Sequence, residues 1–182
     1  MTLPVSTPLI RHPAILRLLE LDAHASARMN LSQRHGRLRN VLRFLAHSGD
    51  SWFMIPVMAL IWLGGDGFWK WRMLVMFMAM CATALVAVGL KRGIGRKRPE
   101  GEWGLVYRST DPHSFPSGHA ARLTMLAVFS LGFGPAWFCA LLFLWAPAVA
   151  LARVAMGVHY LSDMAGGAVL GALFGVLFLL IV

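Results

Sequence analysis

Three polar clusters interrupt an otherwise apolar chain, and their residue types suit one kind of reaction. KRGIGRKRPE places Lys91 and Arg98 seven residues apart, HSFPSGH ends on His119, and ARVAMGVHYLSD contributes Arg153, His159 and Asp163. Together they supply three fixed cations, two imidazoles and a carboxylate. A phosphoryl group in transfer spreads its charge over equatorial oxygens and needs several donors held around it. Arginine offers bidentate geometry and lysine a point charge, so Lys91, Arg98 and Arg153 fit the role of phosphate ligands. His159 and Asp163 stand four apart, which on a helical turn puts them on one face, where the carboxylate orients the imidazole as a nucleophile. His119 is then the acid that protonates the leaving oxygen. If a helix starts near Pro116, the backbone N–H groups of Ser117, Gly118 and His119 add an anion seat. No set of carboxylates suits Mg²⁺, so the expectation is a metal-independent reaction with no cofactor.

These clusters must be held by membrane helices. Of 182 residues, 58% are hydrophobic and 14% charged, outside the range of soluble globular domains. Five apolar stretches approach the roughly 20 residues that cross a bilayer: Gly49 to Leu63, Met73 to Leu90, Ala120 to Phe133, Pro135 to Ala152 and Met164 to Val182, the first and third being short. GGDGFWKW and FGPAW read as tight turns on a plain side, while the polar clusters share the opposite side with the N-terminal region. In that region, residues Pro13 to His47 repeat Leu18, Leu21, Leu38, Val41, Leu42 and Leu45 at helical spacing. Arg28, Arg34, Arg37, Arg39 and Arg43 lie between them, which fits amphipathic helix at an interface with anionic headgroups. The expected fold is an all-α polytopic bundle of about five transmembrane helices. It forms a single domain over 1–182, with an interfacial region at 1–47 and a catalytic bundle at 49–182. The first residues, rich in proline, lack the apolar core of a cleavable signal. Cys81 and Cys139 lie in apolar runs as core residues. The net charge of +9 fits lipid headgroups, and no basic and aromatic alternation suggests nucleic acid.

Read as patterns, Lys91, Arg98 and Pro99 give K-x6-R-P, Pro116 to His119 give P-S-G-H, and Arg153, His159 and Asp163 give R-x5-H-x3-D. In this order the chain resembles the type 2 phosphatidic acid phosphatase (PAP2) superfamily, which also includes soluble acid phosphatases and vanadium haloperoxidases. HSGD at His47 to Asp50 is a weaker part of the same likeness. The resemblance implies a phosphohistidine at His159 oriented by Asp163, His119 as acid, and phosphate held by Lys91, Arg98, Ser117, Gly118 and Arg153. It departs at Ala152, where the family has serine. Small chains of this layout resemble bacterial undecaprenyl diphosphate phosphatases, with phosphatidylglycerophosphate or phosphatidate phosphatases next. The implied setting is the bacterial inner membrane with the site on its extracytoplasmic face. The lysine and arginine count opposes that orientation, since the plain side carries only Lys70 and Arg72.

Other residues have alternative roles. His113 and Ser114 line the entrance or are ordinary loop residues. Arg122 pairs with Asp163 or reaches a headgroup. His47 and Asp50 approach the site or cap the first span. Gly167, Gly171 and Gly175 give a small-xxx-small stripe, for packing within the chain or in a homodimer. A haem or metal protein using His47, His119 and His159, or a non-catalytic lipid-binding scaffold, is the competing class. The first accounts for neither Lys91 and Arg98 nor the PSG turn, and the intact histidines argue against the second.

Overall fold

Helix boundaries follow local chemistry in the computed structural model, which describes residues 13–100, Trp103 and 110–181. Helix α1 (Pro13–Met29) opens on proline, whose missing N–H costs nothing at a first turn. Helix α2 (Arg37–Ser48) meets α3 (Ser51–Gly64) at a break of 55°. Helix α4 (Gly67–Ile94) begins where the Asp66 side chain accepts from Trp69 N, and ends at Gly95 in the left-handed region, φ 64°. Helix α5 (Gly118–Ser130) is capped by Ser117, whose side chain accepts from Ala120 N. Helices α6 (Ala136–Ala155) and α7 (Leu161–Leu179) complete the bundle.

Helix α5 is the axis of the molecule. Eight of its 13 residues are buried, so it is wrapped by other helices rather than by lipid. At 1.5 Å per residue it is only about 20 Å long. Its main neighbour is α7. A Cβ at Gly167, Gly171 or Gly175 would fall 2.4 Å from Ser117 O, 2.1 Å from Ala121 O and 2.7 Å from Val128 Cβ respectively. The glycine stripe therefore joins α7 to α5 within the chain, backbone against backbone. A core of Met54, Met73, Met76, Leu126, Phe129 and their neighbours fills the space toward α3, α4 and α6.

Among the described residues three helices, α4, α6 and α7, are long and apolar enough to cross a bilayer, and the bent α2–α3 pair is a fourth candidate. The expected first and third spans, α3 and α5, are indeed the short ones. Leu60, Leu85, Leu144, Leu173 and Leu180 point outward with 65% exposure or more, an arrangement suited to hydrocarbon rather than water. The N-terminal region differs from a purely interfacial layer. Leu18, Leu21 and Val41 are exposed as expected, but α1 also packs on α6 and α7, and α2 packs on α6. Residues 1–12, and Val182 at the end of the expected fifth span, lie outside the described residues.

Candidate active site

The polar clusters converge where α4, α5, α6 and α7 begin or end on one side of the bundle. Lys91 stands in the last turn of α4, and Arg98 follows the Gly95 cap. Both are buried, with Arg98 at 3% exposure. Arg98 Nη1 donates to Val158 O at 3.1 Å and to His159 Nε2 at 2.9 Å. A guanidinium can only donate, so Nε2 is the accepting nitrogen with the lone pair. The other nitrogen, Nδ1, lies 3.3 Å from Asp163 Oδ2 and is the protonated one. This tautomer is the one a nucleophilic imidazole needs.

His159 and Asp163 do not share a continuous helical turn as their spacing suggested. His159 lies in the turn before α7, and Asp163 is in that helix's first turn. Its carboxylate accepts Tyr160 N at 2.9 Å through Oδ2 and Arg96 Nη1 at 2.8 Å through Oδ1. Asp163 is thus at once helix cap, ion-pair partner and imidazole clamp. Burial, together with the Arg98, Arg153 and Lys91 charges, holds the His159 imidazole well below the ordinary histidine range, so it is neutral at neutral pH.

Arg96 is a residue that sequence reasoning missed. Buried to 3%, it donates Nη1 to Ser162 Oγ at 2.5 Å as well as to Asp163, and Nη2 to Asp22 Oδ2 at 2.6 Å. Its guanidinium carbon lies 4.0 Å from the Tyr160 ring centroid. Asp22 on α1 also accepts Ser162 N at 3.0 Å, so the N-terminal helix braces the start of α7. Arg96 is one of several basic residues in KRGIGRKRPE, and nothing in its sequence context distinguished it from a solvated charge.

His119, at the second position of α5, takes a different carboxylate. Its Nε2 is 2.5 Å from Asp50 Oδ1, from the turn between α2 and α3. The second Asp50 oxygen receives Trp52 Nε1 at 3.2 Å and is 3.0 Å from His47 Nδ1. The HSGD segment therefore approaches the site, the first of its two expected roles. With Nε2 occupied, Nδ1 of His119 is the nitrogen left to exchange a proton with a ligand. Arg153, 1% exposed, donates Nη1 to Ala46 O at 3.0 Å and lies 4.0 Å from Asp50 Oδ1. It acts electrostatically on both His159 and His119, and so joins the two halves.

Four details sharpen the sequence reading. The Ser117 N–H is spent on Asp163 O at 2.9 Å, so the helix-start seat is left with Gly118 and His119. Ser114 is fully buried, its N donating to Arg96 O at 2.7 Å, and it lines no entrance. Asp163 is paired with Arg96 and His159, not with Arg122. Ala152 packs in an apolar cluster with Ala46, Met156 and Val158. One carboxylate was also missed: Asp111 engages both Lys91 Nζ and Arg98 Nη2, the latter at 2.7 Å. Burial disfavours its charge, but these two cations outweigh that and keep it ionised below the usual carboxylate range. A cavity of about 630 Å³ is an apolar cleft between α3, α4, α5 and α6, lined by residues such as Phe53, Met58, Trp69 and Phe133, with no titratable group in its lining.

With this geometry in view, the likeness to known proteins is consistent along the chain. The PAP2 superfamily profile matches residues 71–182. A decaprenylphosphoryl-5-phosphoribose phosphatase of Mycobacterium tuberculosis is 31% identical over 160 residues, covering 86% of each chain. A lipid A 1-phosphatase of Rhizobium etli is 28% identical over 187 residues, covering 89% of this chain and 77% of its own. The crystal structure of a transmembrane PAP2 type phosphatidylglycerolphosphate phosphatase from Bacillus subtilis superposes with a TM-score of 0.72 at 27% identity, covering 93% of this chain and 87% of that one.

Proposed function

The chain belongs to the PAP2 superfamily, and from that premise we propose that it is a multi-pass membrane phosphatase that removes the terminal phosphate of a lipid phosphate or diphosphate. The observation that carries the mechanism is the state of His159: Nδ1 clamped by Asp163, and Nε2 unprotonated, its lone pair held by an Arg98 N–H that turns to the phosphate oxygens when substrate binds. In this reading Nε2 attacks phosphorus while Lys91, Arg98, Arg153 and the α5 start hold the equatorial oxygens. The leaving oxygen departs with the electron pair of the broken P–O bond and takes a proton from Nδ1 of His119 in its imidazolium form, whose Nε2–H stays on Asp50. His119 then accepts a proton from the water that hydrolyses the phosphohistidine, and inorganic phosphate leaves. No metal takes part in these steps.

The alternative of a haem or metal protein fits poorly. A guanidinium sits 2.9 Å from His159 Nε2, where it repels any cation. On substrate, the favoured candidate is undecaprenyl diphosphate, and the likeness to a phosphatidylglycerolphosphate phosphatase supports phosphatidylglycerophosphate as a second reading. We place the catalytic side on the extracytoplasmic face of a bacterial inner membrane. The test is phosphate release by detergent-purified protein in EDTA from these lipids and from phosphatidate, wild type beside His159→Ala. Release that survives EDTA and vanishes in the variant is expected. Equal release by the variant overturns the mechanism, and no release from any lipid overturns the activity.

A further inference from the structure

Arg122 lies one turn along α5 from His119 and has no evident occupation. Its Nε is buried without a hydrogen-bond partner, and among the described residues no ion pair fixes its guanidinium. A charge in an apolar helix is costly unless something compensates it. Its surroundings do not: Arg153 repels it, and the attracting carboxylate, Asp50, is already shared by His119, His47 and Trp52. Three positions from His119 on the same helix, Arg122 shares its face of α5 and stands at that end of the site.

The two ends of the site differ in how their cations are paired. Around His159, the cations Lys91, Arg96 and Arg98 face the carboxylates Asp22, Asp111 and Asp163. Around His119, Arg122 has no ion pair among the described residues, its nearest carboxylate, Asp50, being held by His119 and His47, while Arg153 is shared by both ends. In an in-line displacement the leaving oxygen lies opposite the nucleophile, beside the acid. A cation without an ion pair there is of use when the leaving group is itself an anion.

We propose that Arg122 binds a second phosphate on the leaving-group side of the scissile one, so that the preferred substrate is a lipid diphosphate. This deepens the phosphatase reading and rests on it. The His159 Nε2–P bond forms and the bridging P–O bond breaks. The departing lipid monophosphate keeps the electron pair and takes the proton of His119, with Arg122 neutralising its remaining charge. Water then cleaves the phosphohistidine and returns the proton to His119. A monophosphate substrate releases a neutral alcohol and leaves Arg122 unused.

The experiment compares undecaprenyl diphosphate with undecaprenyl monophosphate, which share a tail, using detergent-purified full-length protein in EDTA. Wild type should favour the diphosphate. Arg122→Gln should lower kcat/KM for the diphosphate by about 10- to 100-fold, the worth of a charged hydrogen bond, and for the monophosphate by less than about threefold. Arg122→Lys should recover part of the difference. Equal losses on both lipids, or none on either, overturn the inference, the latter marking Arg122 as a headgroup contact. Wild type that hydrolyses only the monophosphate also overturns it while leaving the phosphatase reading intact, whereas release from neither removes both. Should the glutamine variant not fold, inhibition of wild type by inorganic diphosphate and by phosphate decides. Tighter inhibition by diphosphate is expected, and equal inhibition overturns the proposal.

Discussion

His159 is enclosed, with its side chain 1% exposed between a carboxylate on Nδ1 and a guanidinium on Nε2, whereas His119 keeps 15% exposure and holds its carboxylate through Nε2. The clamps also differ in origin. Asp163 is four residues from its imidazole and fixed by a helix start, while Asp50 reaches His119 from the break between two other helices. A nucleophile has to present one lone pair in one direction, and rigid burial serves that. An acid that gives up a proton and recovers it from water needs access, and a partner on the far side of its ring leaves the near side open.

Four measurements test this contrast. His159→Ala should reduce turnover to background, at least roughly 10⁴-fold, and abolish the acid-labile phosphoenzyme in a quenched reaction. A label that persists would place the nucleophile elsewhere. Asp163→Asn, which disturbs the tautomer, should cost about 10³-fold whatever the leaving group. Asp50→Asn should cost about 10²-fold on a lipid phosphate but under about tenfold on p-nitrophenyl phosphate, whose phenolate leaves without a proton. Equal losses on both would make Asp50 a structural prop and erase the contrast. The smallest effect concerns pH. Burial and the neighbouring cations disfavour protonation of His159, so the neutral, active form persists into acid. The acid limb of kcat/KM should therefore fall below pH 6.5, and a limb at or above that value would mean that those charges do not reach the ring.

The fold and the centre of the site were legible because their signals are local. Apolar length marked the spans and identified α3 and α5 as the short ones, and Ser117 announced a helix start. Lys91, Arg98, Arg153, His159 and Asp163 stood out as polar groups against apolar sequence. What stayed hidden depends on tertiary approach. Asp22 meets Ser162 across 140 positions of chain, and no spacing rule connects them. Arg96 and Asp111 look like solvent-facing charges until burial and pairing are seen. The backbone donor expected from Ser117 was lost for the same reason: α7 comes close enough, through its glycines, to take it.

The carboxylate of Asp111 has a consequence for traffic at a crowded surface. Any anion that approaches Lys91 and Arg98 meets a competitor already in place. A phosphodiester headgroup carries a single charge and gains little by evicting one carboxylate. A terminal phosphate carries about 1.5 to 2 charges near neutral pH and offers a third oxygen, so it wins the exchange. A bilayer is mostly phosphodiesters, and an uncovered pair of cations would be silted up by them. With Asp111 across both cations, only an anion of higher charge than a phosphodiester gains by displacing it.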